Sequence, residues 1–198
     1  KGMRLRTLES YGLISNGILN SYSSLHGKNE SCEVVVIGGG ITGALVSYAL
    51  VKSGYSVILM DKRDIACGST AATTSLLQYE IDVPLHLLSD MIGEVAAADC
   101  YKAGIKAIND LDDLIKQHGF DCGFERKQSL FIARSEKDVS ALKKEFIARD
   151  KHELGVTWLD RKQILDDYGI NCYGAILSNE AAGVDAFKLA HLLIAYSA

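Results

Sequence analysis

Residues 34–61 constrain the fold of this chain more than any other stretch. The apolar run Val34-Val35-Val36-Ile37 leads straight into Gly38-Gly39-Gly40-Ile41-Thr42-Gly43. A helix-like stretch follows over residues 41–53, then Gly54, then a second apolar run, Val57-Ile58-Leu59-Met60, which ends on Asp61. The order is strand, glycine turn, helix, strand, acid. Both strands, read as residues 33–37 and 56–61, are continuous apolar runs, which suits parallel strands covered on both faces. In such a turn Gly38 permits the tight exit from the strand, Gly40 lets the backbone approach a pyrophosphate, and Gly43 lets the helix pack close to the strands. The helix then directs its free N–H groups and the positive end of its dipole at the phosphates. Asp61 follows about twenty residues on, where a carboxylate reaches a ribose 2′-hydroxyl. The pattern predicts an α/β fold with a Rossmann-like dinucleotide-binding part. A tight turn in an α/β domain without a ligand would leave the acid at the end of the second strand without a reason.

The rest of the composition mainly excludes. The chain has 198 residues, enough for one domain or a domain and a half, and 48% of them are hydrophobic, enough for a core. Net charge is −4 with Lys and Arg scattered, so nothing suggests a nucleic-acid surface. No segment approaches the ~18 apolar residues of a membrane span. The first thirty residues lack the apolar core of a secretion signal. The cysteines (Cys32, Cys67, Cys100, Cys122 and Cys172) are odd in number, far apart and without a C-x-x-C pair. They read as reduced thiols of a cytoplasmic protein, not as a zinc or dithiol site. Cys67 reads as a small filler. The histidines are isolated, without metal spacing, and His86 and His191 read as surface or core positions, so no metal site is expected.

Residues 1–30, rich in Gly, Ser and Asn, read as an irregular N-terminal extension lying over the domain. Residues 62–80 are rich in small and hydroxyl-bearing side chains and read as a loop able to wrap a polar ligand. Pro84 suits the first turn of a helix. From there Leu88, Ile92, Val95, Ala98, Ile105, Ile108, Leu111 and Ile115 recur at helical steps, predicting one long or kinked helix to residue 118, closed by Gly119. A strand is expected within residues 123–133, best from Gln128. An amphipathic helix over 136–154 should turn Val139, Leu142 and Phe146 inward. A short strand over 156–159, a helix through Tyr168 capped by Asp160, a strand over 175–177 and a final helix over 186–198 capped by Asp185 complete the reading. This divides the chain into an extension (1–30), a dinucleotide-binding part (31–118), the start of an α+β substrate domain (119–182) and a helix returning to the first part (183–198). A dinucleotide-binding half needs three parallel strands, and only two good ones are present. The Rossmann-like part is therefore expected to be truncated, with the remainder of the same polypeptide or another chain completing the sheet.

The glycine turn, with Asp61-Lys62-Arg63-Asp64-Ile65-Ala66 and Gly68-Ser69-Thr70-Ala71-Ala72-Thr73, resembles the flavoprotein family that includes D-amino acid oxidase, glycine oxidase, sarcosine oxidase and glycerol-3-phosphate dehydrogenase. The resemblance is good over about residues 32–82. It continues more weakly through Gln128-Ser129-Leu130-Phe131-Ile132-Ala133 and Gly183-Val184-Asp185. It implies FAD as cofactor. On the matching positions Gly38, Gly40, Ile41, Thr42 and Gly43 would line the pyrophosphate. Asp61 would take the adenosine ribose, with Lys62 and Arg63 beside the adenine. Ser69 and Thr70 would add hydroxyl bonds to the phosphates, and Thr73, Thr74, Leu76 and Gln78 would approach the ribityl chain and the isoalloxazine ring. The acid is more often Glu in this family, and Asp is one methylene shorter. The resemblance also implies hydride removal from a small amine, amino acid or polyol phosphate. The groups that grip the substrate lie in the second half of such proteins, so no catalytic residue is named. Tyr79, Glu80 and Asp82 are candidates for facing substrate.

Two other classes fit the same turn. One is a nicotinamide-dependent (NAD(P)) dehydrogenase, against which the hydroxyl-rich loop after Asp61 argues. The other is a nucleotide-binding module without turnover.

Overall fold

The computed structural model describes residues 10–24, 27 and 29–198. In chain order the elements are α1 (Tyr11–Asn16), β1 (Val34–Ile37), α2 (Ile41–Lys52), β2 (Val57–Met60), α3 (Ser69–Ala72), β3 (Leu76–Gln78), α4 (Leu85–Ile92), α5 (Glu94–His118), β4 (Glu125–Ile132), α6 (Asp138–Lys151), β5 (Val156–Leu159), α7 (Arg161–Tyr168), β6 (Ala175–Gly183) and α8 (Ala186–Ser197). They form two compact units. The first comprises Lys1–Ser75, Phe120–Gly123 and Val184–Ala198; the second comprises Leu76–Gly119 and Phe124–Gly183. Helices α4 and α5 thus belong with the second unit, whereas the sequence division placed them in the dinucleotide-binding part. No helix among the described residues is long and apolar enough to cross a membrane.

In the first unit β1 and β2 pair in parallel, Val34 opposite Val57 through Ile37 opposite Met60. Helix α2 connects them and packs on α8. Its buried residues, Gly43, Ala44, Ser47 and Tyr48, fall one helical turn apart and make one face. Helix α8 buries Phe187, Leu189, Ala190 and Leu193. The expectation that the strands are covered on both faces is not met by β1. Val35 is 51% and Ile37 83% exposed, because β1 alternates half-buried and exposed residues.

The extension is not irregular throughout: residues 11–16 are helical. Residues 1–9, 25, 26 and 28 of it lie outside the described residues. Gly12 explains how α1 docks. A Cβ there would stand 2.9 Å from Phe187 Cβ and 3.1 Å from the Ala71 carbonyl, so only a glycine lets the helix lie this close to α3 and α8. Asn16 Nδ2 then donates to Asp185 Oδ2 at 2.7 Å.

The second unit is built round β6, the central strand of an antiparallel sheet. β4 pairs along it from Ala175 to Gly183, with a register shift between Lys127 and Ser129. The other edge of β6 is shared by β5, at Ala175 to Ser178, and β3, at Ala181 to Gly183. β6 is far longer than the expected strand over 175–177, and β4 starts three residues before Gln128. The long helix is two helices. Gly93 takes φ +91°, outside the helical region, and separates α4 from α5. α5 closes on left-handed Gly119 as expected. Asp160 caps α7 with a full capping box, its carboxylate accepting from the Lys162 and Gln163 N–H groups while the Gln163 side chain accepts from the Asp160 N–H. Asp185 caps α8 through the Lys188 N–H.

Candidate cofactor site

The glycine turn is held by four fixed contacts. Gly38, at φ +108°, ends β1 and donates to the Met60 carbonyl at 2.8 Å. Gly39 N–H donates to Asp61 Oδ2 at 2.8 Å, and the Gly39 carbonyl accepts from Ala66 N–H at 2.9 Å. Asp61 Oδ1 accepts from Arg63 N–H at 2.9 Å. The N–H bonds from Arg63 and Gly39, in that order, hold the Asp61 carboxyl below the usual carboxylate range. Gly43 sits on the turn so closely that a Cβ would lie 1.8 Å from the Gly38 carbonyl oxygen. This is the close helix–strand approach expected of the third glycine.

The space a Gly40 Cβ would take is bounded by Thr70 Oγ1 at 3.0 Å. Thr70 is buried and its oxygen accepts from the Ile41 N–H at 3.0 Å, so it stands in for the side-chain cap that Gly40 cannot supply. The Thr70 hydroxyl hydrogen is left for another acceptor. Thr42 and Ser69 lie at the leading turns of α2 and α3, both exposed. Thr73 and Thr74 are exposed too, and Thr73 Oγ1 accepts from Ser75 N–H at 3.1 Å. The first unit therefore brings Gly38, Gly40, Ile41, Thr42, Gly43, Asp61, Ser69 and Thr70 to one turn region. Lys62 and Arg63 follow on the exposed side of Asp61. Leu76 and Gln78 lie on β3, in the second unit, opposite Gly183 and Ala181.

A cleft of about 600 Å³ opens beside the end of β2, lined by Leu59 to Ile65 and by Tyr22, Ser23 and Ser24. The three N-terminal residues escaped the sequence reading, since no motif marks them. Their anchor is far away in the chain: Tyr22 Oη lies 2.8 Å from Nδ1 of His191, with the rings stacked at 5.8 Å. His191 is a core residue, 4% exposed, and burial pushes its pKa down. Burial likewise pushes the Cys67 thiol up, with Asp64 adding to it, which suits a filler better than a reactive thiolate.

In the second unit Tyr79 is buried and packs edge-on against Tyr101. Glu80, Asp82, Gln78, Ser129 and Arg149 line a cleft of about 270 Å³. Arg149 was missed as a candidate because, four residues after Glu145 on a charged helix, it reads as a solvent-exposed pair. Both are 1% exposed. Arg149 Nε donates to Glu145 Oε1 at 2.7 Å, and Nη1 reaches Tyr79 Oη and Glu80 Oε1, each at 3.3 Å. Glu145 also accepts from the Leu85 and His86 N–H groups and from His86 Nδ1.

Comparison with known proteins agrees with this geometry. Residues 33–197 match the family DAO, FAD dependent oxidoreductase. The chain is 29% identical over 133 residues to a Bacillus subtilis (strain 168) protein named as a putative Rieske 2Fe-2S iron-sulfur protein, an alignment covering 67% of this chain and 26% of that protein. It is 23% identical over 175 residues to gamma-glutamylputrescine oxidoreductase of Escherichia coli (strain K12), covering 86% of this chain and 41% of the relative. Glycine oxidase from Geobacillus kaustophilus shares the fold, with a TM-score of 0.67 at 20% identity over 84% of this chain and 44% of that one. The chain thus spans less than half the length of these relatives. Because the match runs through the glycine turn, Asp61 and the hydroxyl-rich segment, the chain belongs to the FAD-dependent oxidoreductase family, whose cofactor is FAD.

Proposed function

We propose that this chain is the FAD-holding portion of an oxidoreductase that takes a hydride from a small amine, amino acid or polyol phosphate. The observation that carries the reading is the 1.8 Å approach of a Gly43 Cβ to the Gly38 carbonyl, a turn that no other residue at position 43 could close. Gly38, Gly40, Ile41, Thr42 and Gly43 would receive the pyrophosphate at the head of α2, where helix N–H groups favour an anion. Thr70 and Ser69 would donate hydroxyl bonds to it. Asp61 would accept from the adenosine ribose, with Lys62 and Arg63 beside the adenine. Thr73, Thr74, Leu76 and Gln78 are assigned to the ribityl and ring end. FAD, when bound, supplies the hydride acceptor. The protein's part is to hold and orient it. The rest of the polypeptide, or another chain, would cover the open face of β1 and bring the groups that grip substrate. The dispersed cysteine thiols favour a cytoplasmic setting.

The test is spectroscopic. The purified protein, with FAD added and excess removed, is expected to show flavin absorption near ~450 nm. Absence of those bands together with tight NAD binding would transfer the assignment to a nicotinamide enzyme. The relative named as a Rieske protein favours a finer reading of the electron acceptor, an iron–sulfur centre fed by the reduced flavin. Residues contiguous with this chain would then carry the two Cys and two His ligands of such a centre.

A further inference from the structure

We infer that residues 22–24 form the outer wall of the adenosine end of the cofactor cleft, with Ser23 and Ser24 as hydroxyl ligands and the Tyr22–His191 pair as the latch that holds them there. The inference rests on the FAD reading above and adds residues that the family match, which begins at residue 33, does not include. The cleft of about 600 Å³ is a normal size for a pocket that encloses a nucleoside. One wall is Asp61 and the residues after it; the facing wall is Tyr22, Ser23 and Ser24. All three are exposed.

Asp61 alone leaves the ribose half-satisfied. Each of its oxygens already takes one backbone N–H, from Gly39 and from Arg63, so it offers the ligand acceptor sites only. Serine hydroxyls donate as well as accept, and adenine and ribose present both kinds of partner. The wall is fixed at two points. Asn16 ties the end of α1 to Asp185 at 2.7 Å, and Tyr22 reaches His191 Nδ1 at 2.8 Å. The His191 ring is itself braced by Phe187 at 4.7 Å. A short segment already anchored in this way costs less to order on binding than a loose one.

Affinities for FAD, ADP and FMN, measured by calorimetry on the purified protein, test this. ADP carries the adenosine end without the flavin, and FMN the reverse. For the Ser23→Ala/Ser24→Ala protein, FAD and ADP are expected to weaken by the same factor, about tenfold for lost hydroxyl bonds, while FMN is unchanged. Tyr22→Phe should weaken the same two ligands by a smaller factor, with circular dichroism confirming that the fold persists. Unchanged ADP affinity in the double variant overturns the inference while leaving the FAD reading intact. Tighter ADP binding overturns it too, since the segment would then compete with the nucleotide. A parent protein that binds neither FAD nor ADP overturns the FAD reading, and this inference with it.

Discussion

The two units place their strongest polar groups in opposite settings. In the second, Glu145 and Arg149 are buried and each is matched by several partners: three donors surround the Glu145 carboxylate besides Arg149, and the Arg149 guanidinium lies over the Tyr79, Tyr101 and Phe131 rings at 5.4 to 5.7 Å. In the first, Asp61 is only partly buried, Thr70 keeps a hydroxyl hydrogen to give, and β1 shows Ile37 to solvent. A buried pair matched in this way spends most of its capacity on fixing the structure, and only the Glu80 carboxylate beside it keeps a buried oxygen, Oε2, without a partner among the described residues. An open site holds its shape with some of its capacity and keeps the rest for what binds.

The sharpest break of this contrast is Arg149→Leu. It leaves the Glu145 carboxylate buried without its cation, and removing one partner of such a pair costs about 3–5 kcal/mol. Urea unfolding should show a loss of that size; a loss under about 1 kcal/mol would mean that the pair is as inert as a surface ion pair. The same network sets an acid limit. Burial alone would raise the Glu145 carboxyl, but hydrogen bonds from His86, Leu85 and Arg149 outweigh it and hold the group below the usual carboxylate range. A carboxyl depressed in the folded state stabilises above its unfolded pKa, about 4.3, and that contribution is lost as pH falls through the folded value. Stability should therefore decline below about pH 4, and the decline should be smaller in Glu145→Gln.

Next in size is Gly43→Ala, which strikes the first unit. The added methyl meets a backbone carbonyl at 1.8 Å and cannot be accommodated by a side-chain rotation. Strain of this kind costs about 1–3 kcal/mol or more, and because it opens the turn, FAD affinity should fall by about a hundredfold. Gly40→Ala is the control. Its methyl meets the Thr70 hydroxyl at 3.0 Å, which can give a little, so its effect should be markedly smaller. Equal losses for the two would mean that helix packing against the turn is not what the site depends on.

The first unit was legible in the sequence because its signals are local. Two apolar runs, a glycine triplet and an acid fall within residues 34–61, and the structure keeps their order and pairing. The caps at Asp160 and Asp185 are local too. What escaped depends on partners far along the chain. β6 extends through Ser178, Asn179 and Glu180, polar residues that give no strand signal; pairing on both edges up to Ser178 and again from Ala181 carries the strand across them. Tyr22 finds His191 across 169 positions. Glu145 and Arg149, at an (i, i+4) spacing, look like a surface pair until Leu85, His86 and Tyr79 close over them. The apolar stripe from Leu88 to Ile115 runs on at helical steps across Gly93, whose positive φ divides it into two helices.

The smallest expected effect sharpens the contrast most, because it separates the two tasks of Asp61. The resemblance assigns Asp61 to the ribose and favours Glu there, so if ribose contact were its whole role, Asp61→Glu would bind FAD as well or better. The structure gives the shorter side chain a second task. Its Oδ2 clamps the Gly39 N–H at 2.8 Å and its Oδ1 the Arg63 N–H at 2.9 Å. An extra methylene moves the carboxylate out of reach of at least one of them. Asp61→Glu should therefore weaken FAD several-fold, and Asp61→Asn, whose amide nitrogen turns a donor toward one of these N–H groups, by about tenfold. Hydrogen exchange at the Gly39 amide should quicken in both variants even without cofactor, a readout that ribose contact alone cannot move. Full FAD affinity and a protected Gly39 amide in the Asp61→Glu variant would return Asp61 to the role of a ribose ligand only.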